Sequence, residues 1–114
     1  MKIDIQSRGF ALTDSLLSYA QRRAQVAMSY CSGHINRMVI RLSDINGPRG
    51  GADKRCHIQV VLAGIPDVVV QDTEENLYDA IDRAVDRTRR AVRKKVDRQI
   101  TRFRHRSQLA YETE

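Results

Sequence analysis

At 114 residues, with 41% hydrophobic and 30% charged side chains, the chain suffices for one domain with its own core and is too short for two. No apolar run approaches the ~18 residues of a membrane span, and the opening Met1-Lys2-Ile3-Asp4-Ile5 lacks the basic-then-apolar layout of a signal peptide, so a cytoplasmic protein is expected. The net charge of +6 favours a polyanionic partner but does not say where on the molecule the charge sits.

Ile3 and Ile5 alternate with Lys2, Asp4 and Gln6, the period of a half-buried strand over residues 2–6. Thr13 then stands where a helix N-cap belongs, with Asp14 in the first turn. Leu16, Leu17, Ala20, Ala24, Ala27 and Met28 follow at the spacing of one helix face, which ends near Ser32-Gly33. Met38, Ile40 and Leu42 alternate with Arg37, Val39, Arg41 and Ser43 in a second strand. Asn46-Gly47-Pro48-Arg49-Gly50-Gly51 is turn chemistry, and Cys56, Ile58, Val60 and Leu62 mark a third strand in hairpin with the second. Gly64-Ile65-Pro66-Asp67 reads as another turn, and Val68-Val69-Val70-Gln71 as a short fourth strand. Asp72 or Thr73 is the expected cap of a long final helix, with Glu74 and Glu75 suited to its N-terminus. Apolar or small residues from Leu77 through Ile81, Val85, Val92, Val96 and Ile100 to Phe103 carry that helix to about residue 104.

The order βαβββα predicts an α+β fold of the double-stranded-RNA-binding-domain kind: a four-stranded mixed sheet with two helices packed on one face and the other face more open. The first strand–helix–strand unit should pair strands one and two in parallel, and the hairpins should make the remaining pairings antiparallel. A single domain is expected over residues 1–104, followed by a fraying tail over 105–114. At ~1.5 Å per residue the final helix outruns strands of about 23 Å, so it should project past the sheet.

Residues 83–106 hold 11 of the 20 Lys and Arg against two acids, Asp86 and Asp97, so this segment carries all of the excess positive charge. At about 100° per residue, Arg83, Arg87, Arg90, Lys94 and Arg98 fall together between roughly 220° and 300° from Leu77. The helix's own acids lie outside that window, at about 140–200°, where Arg89 and Arg93 can pair with them. Like charges at i, i+4 repel, and a polyanion along the edge would turn that repulsion into attraction while releasing counterions. Nine of the eleven bases are Arg, whose planar fork suits phosphates. A merely solvated face is the competing interpretation. Aromatic residues are few and Trp is absent, which argues against a base-stacking platform and for backbone and shape contacts on folded RNA.

Catalytic chemistry is not apparent. Cys31 and His34 with Cys56 and His57 supply zinc-type ligands on paper, yet adjacent strand residues such as Cys56 and His57 point to opposite faces. The carboxylates are scattered, and no nucleophile stands beside a His base with an orienting acid. Neither a cofactor, a metal nor a small-molecule substrate is expected, and the protein is read as a non-enzyme. The glycine-rich stretch is an ordinary hairpin loop or, alternatively, a basic finger that touches RNA through Arg49, Lys54 or Arg55.

The opening Met1-Lys2-Ile3-Asp4-Ile5, the helix start Leu12-Thr13-Asp14-Ser15-Leu16 and above all Asn76-Leu77-Tyr78-Asp79-Ala80-Ile81-Asp82 before a long basic helix resemble the ribosome hibernation promoting factor and ribosome-associated inhibitor family, also labelled sigma-54 modulation protein, in its short form. The resemblance covers about residues 1–100. It implies a protein that binds small-subunit rRNA near the decoding centre and sterically blocks the mRNA and tRNA sites under stress or in stationary phase. It maps the rRNA contacts to Arg23, Arg87, Arg90, Arg93 and Lys94; the charge pattern adds Arg22, Arg83 and Arg98. Two other interpretations stay open: a protein-interaction module that modulates a transcription factor through the open sheet face, and a general double-stranded RNA-binding protein.

Overall fold

The computed structural model describes residues 1–45 and 53–112, and side chains as far as residue 104 except Phe103. The elements are β1 (Lys2–Arg8), α1 (Asp14–Met28), a 3-10 segment (Ser29–His34), β2 (Ile35–Asp44), β3 (Lys54–Leu62), β4 (Ile65–Glu74) and α2 (Leu77–Glu112). The strands lie in the order β1-β2-β3-β4, with β1 and β2 parallel and the other two pairs antiparallel. The fold class expected from the sequence is therefore the one observed. A parallel β1–β2 pair needs a crossover, and α1 supplies it.

The core lies between one sheet face and the two helices. Met38, Ile40 and Leu42 of β2 and Cys56, Ile58, Val60 and Leu62 of β3 are buried against Leu16, Ala20, Ala24 and Met28 of α1 and Ile81, Val85, Val92 and Val96 of α2. Alanines at 20, 24, 80 and 84, all buried, let the helix backbones approach the sheet closely. Among the described residues Thr88 is the one polar side chain in the buried stripe of α2, and its hydroxyl donates to the Ala84 carbonyl at 2.6 Å. It therefore leaves no unsatisfied donor in the core.

The helix starts are chemically distinct. Thr13 caps α1 as expected, its Oγ1 accepting from the Leu16 amide at 3.2 Å. The cap of α2 is neither Asp72 nor Thr73 but Asn76, whose side-chain oxygen accepts from the Tyr78 amide at 2.7 Å. Asp72, Thr73 and Glu74 belong to β4 instead, which runs for 10 residues rather than four. The sheet needs them there: β3 begins at Lys54, and Lys54, Arg55 and Cys56 pair with Glu74, Thr73 and Asp72. The chain reverses between β3 and β4 at Ala63-Gly64, where Gly64 adopts a φ of +70°, so Ile65 and Pro66 are strand residues rather than a turn.

The backbone of α2 continues as helix to Glu112, past the residue 104 at which the apolar pattern ended it, and no Gly or Pro interrupts that stretch. Its 36 residues correspond to about 54 Å, against roughly 33 Å for the longest strands. Among the described side chains the last fully buried one is Val96, with Ile100 partly buried beyond it. The helix thus projects, and the molecule measures 67 × 23 × 17 Å. Its radius of gyration of 17.2 Å exceeds the ~13 Å of a compact domain of this length for the same reason.

Candidate nucleic-acid interface

Once β4 is in place beside α2, the bases of the helix separate into two sets. In the first half, Arg83 Nε lies 3.1 Å from Glu74 Oε1. Arg87 Nη1 donates to the Gln71 carbonyl at 3.0 Å and sits 3.4 Å from Asp72 Oδ2. Asp72 and Glu74 occupy the positions paired with Cys56 and Lys54, which puts them on the helix side of the sheet. The edge that the helical wheel shows free of acids is therefore free of them only within the helix; the neighbouring strand supplies them. Arg90 is also paired, its Nη2 2.9 Å from Asp86 Oδ2, while Arg89 holds the other oxygen at 3.2 Å. Those contacts, Arg89 first, keep the Asp86 carboxyl below its ordinary pKa.

The second half differs. Lys94, Arg98 and Arg102 are exposed and make no ion pair among the described residues. Lys95 reaches back over the β3–β4 turn to the Pro66 and Asp67 carbonyls, 3.5 and 3.4 Å away, neutral acceptors that leave its charge uncompensated. With Arg98, Gln99 and Arg102 it lines a shallow cleft between that turn and the helix.

On its opposite flank α2 meets α1. Arg23 Nε donates to Asp82 Oδ1 at 3.0 Å, and the Tyr19 hydroxyl donates to the same oxygen. That hydrogen bond, with some burial, raises the Tyr19 pKa. Tyr19 and Tyr78 meet edge to face with centroids 4.9 Å apart. Farther along, Arg93 stacks over the Tyr30 ring at 5.0 Å, with its Nε 4.0 Å from Asp97 Oδ2. Arg22 is exposed and makes no ion pair among the described residues.

The residues singled out from the sequence thus form two groups on opposite flanks of α2. Arg83, Arg87, Lys94 and Arg98 follow the β4 side, with Arg90 between them; Arg22, Arg23 and Arg93 follow the α1 side. Of these eight, Arg22, Lys94 and Arg98 present a charge with which no carboxylate in the described residues forms an ion pair. The proposed loop contacts do not form one surface. Arg49 lies outside the described residues. Lys54 and Arg55 are β3 residues on opposite faces; Lys54 Nζ lies 3.0 Å from Asp44 Oδ2 and 3.3 Å from Asp53 Oδ1, which raises its pKa, the Asp44 contact foremost. Sequence patterning missed the acids Asp72 and Glu74 and the Tyr30 platform. Only the strand register and the packing of the 3-10 segment put them beside α2.

The thiols sit elsewhere. Cys31 and Cys56 are free and buried, and burial pushes the Cys56 thiol up to about 12. His57 faces away from Cys56 across the sheet, and no group of three or more His, Cys, Asp or Glu is positioned for a metal among the described residues. No helix among them is long and apolar enough to cross a membrane.

A family model described as Sigma 54 modulation protein / S30EA ribosomal protein matches residues 3–107. The N-terminal domain of Thermus thermophilus Protein Y is 32% identical with a TM-score of 0.69, covering 82% of this chain and 98% of that one. A ribosomal subunit interface protein from Coxiella burnetii shares the fold at 18% identity and a TM-score of 0.71, covering 82% and 96% of the two chains. No curated protein sequence matches the chain.

Proposed function

Because the chain belongs to the Sigma 54 modulation protein / S30EA ribosomal protein family, we propose that it binds small-subunit rRNA near the decoding centre and, as a rigid wedge, sterically excludes mRNA and tRNA in stressed or stationary cells. Its place of action is then the cytoplasm, and no reaction is catalysed. The observation that carries this is the uncompensated cationic stretch of α2, Lys94, Lys95, Arg98 and Arg102, on a helix that projects past the sheet. A helix buried along one stripe is held as a stiff rod, so these charges reach the partner at fixed spacing. Attraction of this kind is driven largely by release of the counterions condensed on RNA. Arg93 on Tyr30 and Arg23 on Asp82 are held by neighbours, which lowers the entropy lost when a phosphate engages them.

Co-sedimentation with purified small ribosomal subunits tests the proposal. The wild-type chain should pellet with the subunits at about 50 mM salt and be released steeply as salt approaches roughly 200 mM. Changing Arg87, Arg90 and Lys94 together to Glu should abolish pelleting at the lower salt; unchanged pelleting would refute the helix interface. Capture from nuclease-treated lysate separates this from a protein-interaction module, since a protein partner survives nuclease. An equal affinity for any RNA duplex would instead indicate a general double-stranded RNA binder.

A further inference from the structure

The sheet face turned away from the helices is not uniform. Toward one end, Asp4 lies 3.7 Å from Arg37, and Asp67 accepts from Gln59 at 2.8 Å. Toward the end nearest the β2–β3 connection, the register places Gln6, Arg41, His57 and Gln71 side by side across all four strands. The next row of the same face runs through Arg8, Ser43, Arg55 and Thr73. Both rows lack any carboxylate. Together they line an open cleft bounded by Gln6, Arg8, Arg41, Arg55, His57 and Gln71.

Three arginines share that cleft, and the fold does nothing to relieve them. Arg41 and Arg55 are diagonal neighbours on an antiparallel pair, roughly 7–8 Å apart at the backbone and within reach of long side chains. None of Arg8, Arg41 and Arg55 has an ion pair among the described residues, and Arg55 Nε is buried with no hydrogen-bond partner among them.

We propose that this end of the open sheet face is a second RNA-binding surface, which takes the phosphates and riboses of one RNA strand laid across the four strands. This rests on the ribosomal proposal above and extends it: the molecule would be held by RNA on both faces of its sheet, with α2 gripping one element and the cleft another. The chemistry favours a sugar–phosphate backbone. Arg forks bind phosphate oxygens two at a time, while Gln6, Gln71 and His57 supply hydrogen-bonding groups for ribose hydroxyls and remaining oxygens. Among the described residues no Phe, Tyr or Trp lines the cleft, and His57 brings its sole aromatic ring, so a run of stacked bases has no platform there.

Arg8 and Arg41 are exposed, so Arg8→Gln/Arg41→Gln and the stronger Arg8→Glu/Arg41→Glu should keep the fold, which a thermal melt checks. Binding to purified small ribosomal subunits is measured across a salt series for the wild type, both cleft variants and Lys94→Glu/Arg98→Glu. The Gln pair should weaken binding about tenfold and lower the slope of log affinity against log salt by roughly 1.4, two phosphate contacts at ~0.7 each. A photo-crosslinking residue in place of His57 should attach to rRNA. Wild-type affinity and slope in the cleft variants, with binding lost in the helix variant, overturn the second surface and leave the helix interface standing. The reverse pattern upholds the cleft and removes the helix. Crosslinks to ribosomal protein alone overturn the RNA assignment, and a wild-type chain that binds no subunits overturns both proposals.

Discussion

The two halves of α2 carry similar numbers of cations and present very different charge. In the first half Arg83, Arg87 and Arg90 stand beside Glu74, Asp72 and Asp86; in the second, Lys94, Lys95, Arg98 and Arg102 face no carboxylate within ion-pair distance among the described residues. The difference arises because the acidic end of β4, with Asp72 and Glu74, runs alongside the first half, while the second half lies beside Gly64, Ile65 and Pro66, which carry no carboxylate. A helical wheel counts the charges of one element. What a partner meets is the sum over all elements packed beside it. Arg83 and Arg87 are open to solvent although their partners Glu74 and Asp72 are largely covered, and solvent on one side weakens such pairs, so the acids of β4 act chiefly on where the positive field is weakened.

That contrast can be broken most directly at its strong end. Lys94→Glu/Arg98→Glu should lower affinity for small subunits by about two orders of magnitude at moderate salt, since two uncompensated charges are reversed; a loss no larger than that of a first-half pair would show that the halves are equivalent. Arg83→Gln/Arg87→Gln should cost only about threefold in the same assay, because each charge removed was already shared with a carboxylate. Removing the acids instead, with Asp72→Asn/Glu74→Gln, should tighten binding by roughly two- to threefold and steepen its salt dependence, as Arg83 and Arg87 become available. If binding weakens, those arginines depend on the acids for their placement.

The smallest effect is expected in acid. The folded-state pKa of Asp86 lies below its ordinary value of 3.8, held there by Arg89 and then Arg90. Its stabilising contribution is therefore complete above the unfolded carboxyl's pKa and is lost as pH falls through the lower folded value. A carboxyl NMR titration should place the Asp86 midpoint below that of the free side chain, and Asp86→Asn should return Arg89 and Arg90 to the mobility of unpaired side chains. A midpoint at the ordinary value would mean that the ion pairs are not maintained in solution.

Where residues alternate cleanly between core and solvent, the chain could be read directly: Met38, Ile40 and Leu42, Ile58, Val60 and Leu62, and the apolar stripe of α2 place three elements and the buried face. Thr13 likewise declares the start of α1. The polar end of β4 could not be read this way. Gln71-Asp72-Thr73-Glu74 carries no hydrophobic signal and has the composition of a helix cap, and only pairing with β3 makes it strand. One misplaced boundary hid two facts at once, that Asn76 is the cap and that Asp72 and Glu74 flank the helix. The open-face cleft was hidden for a related reason. Arg8, Arg41 and Arg55 come from three strands and are far apart in the chain; their neighbourhood is a matter of register, and β1 extends past the Ile3–Ile5 alternation to reach Arg8.

Among the described side chains the buried stripe of α2 ends at Val96 with Ile100 partly covered, and the helix backbone then continues for 12 residues to Glu112. Mechanically this is a rod clamped at one end. A change in tilt of about 5° at the clamp displaces a point ~18 Å along the axis by roughly 1.5 Å. That is half the length of a hydrogen bond. Small alterations in how Val92 and Val96 seat in the core would thus re-aim cations that never touch them, so the packing of the interior, as much as the charge on the surface, determines where the far end of α2 lands.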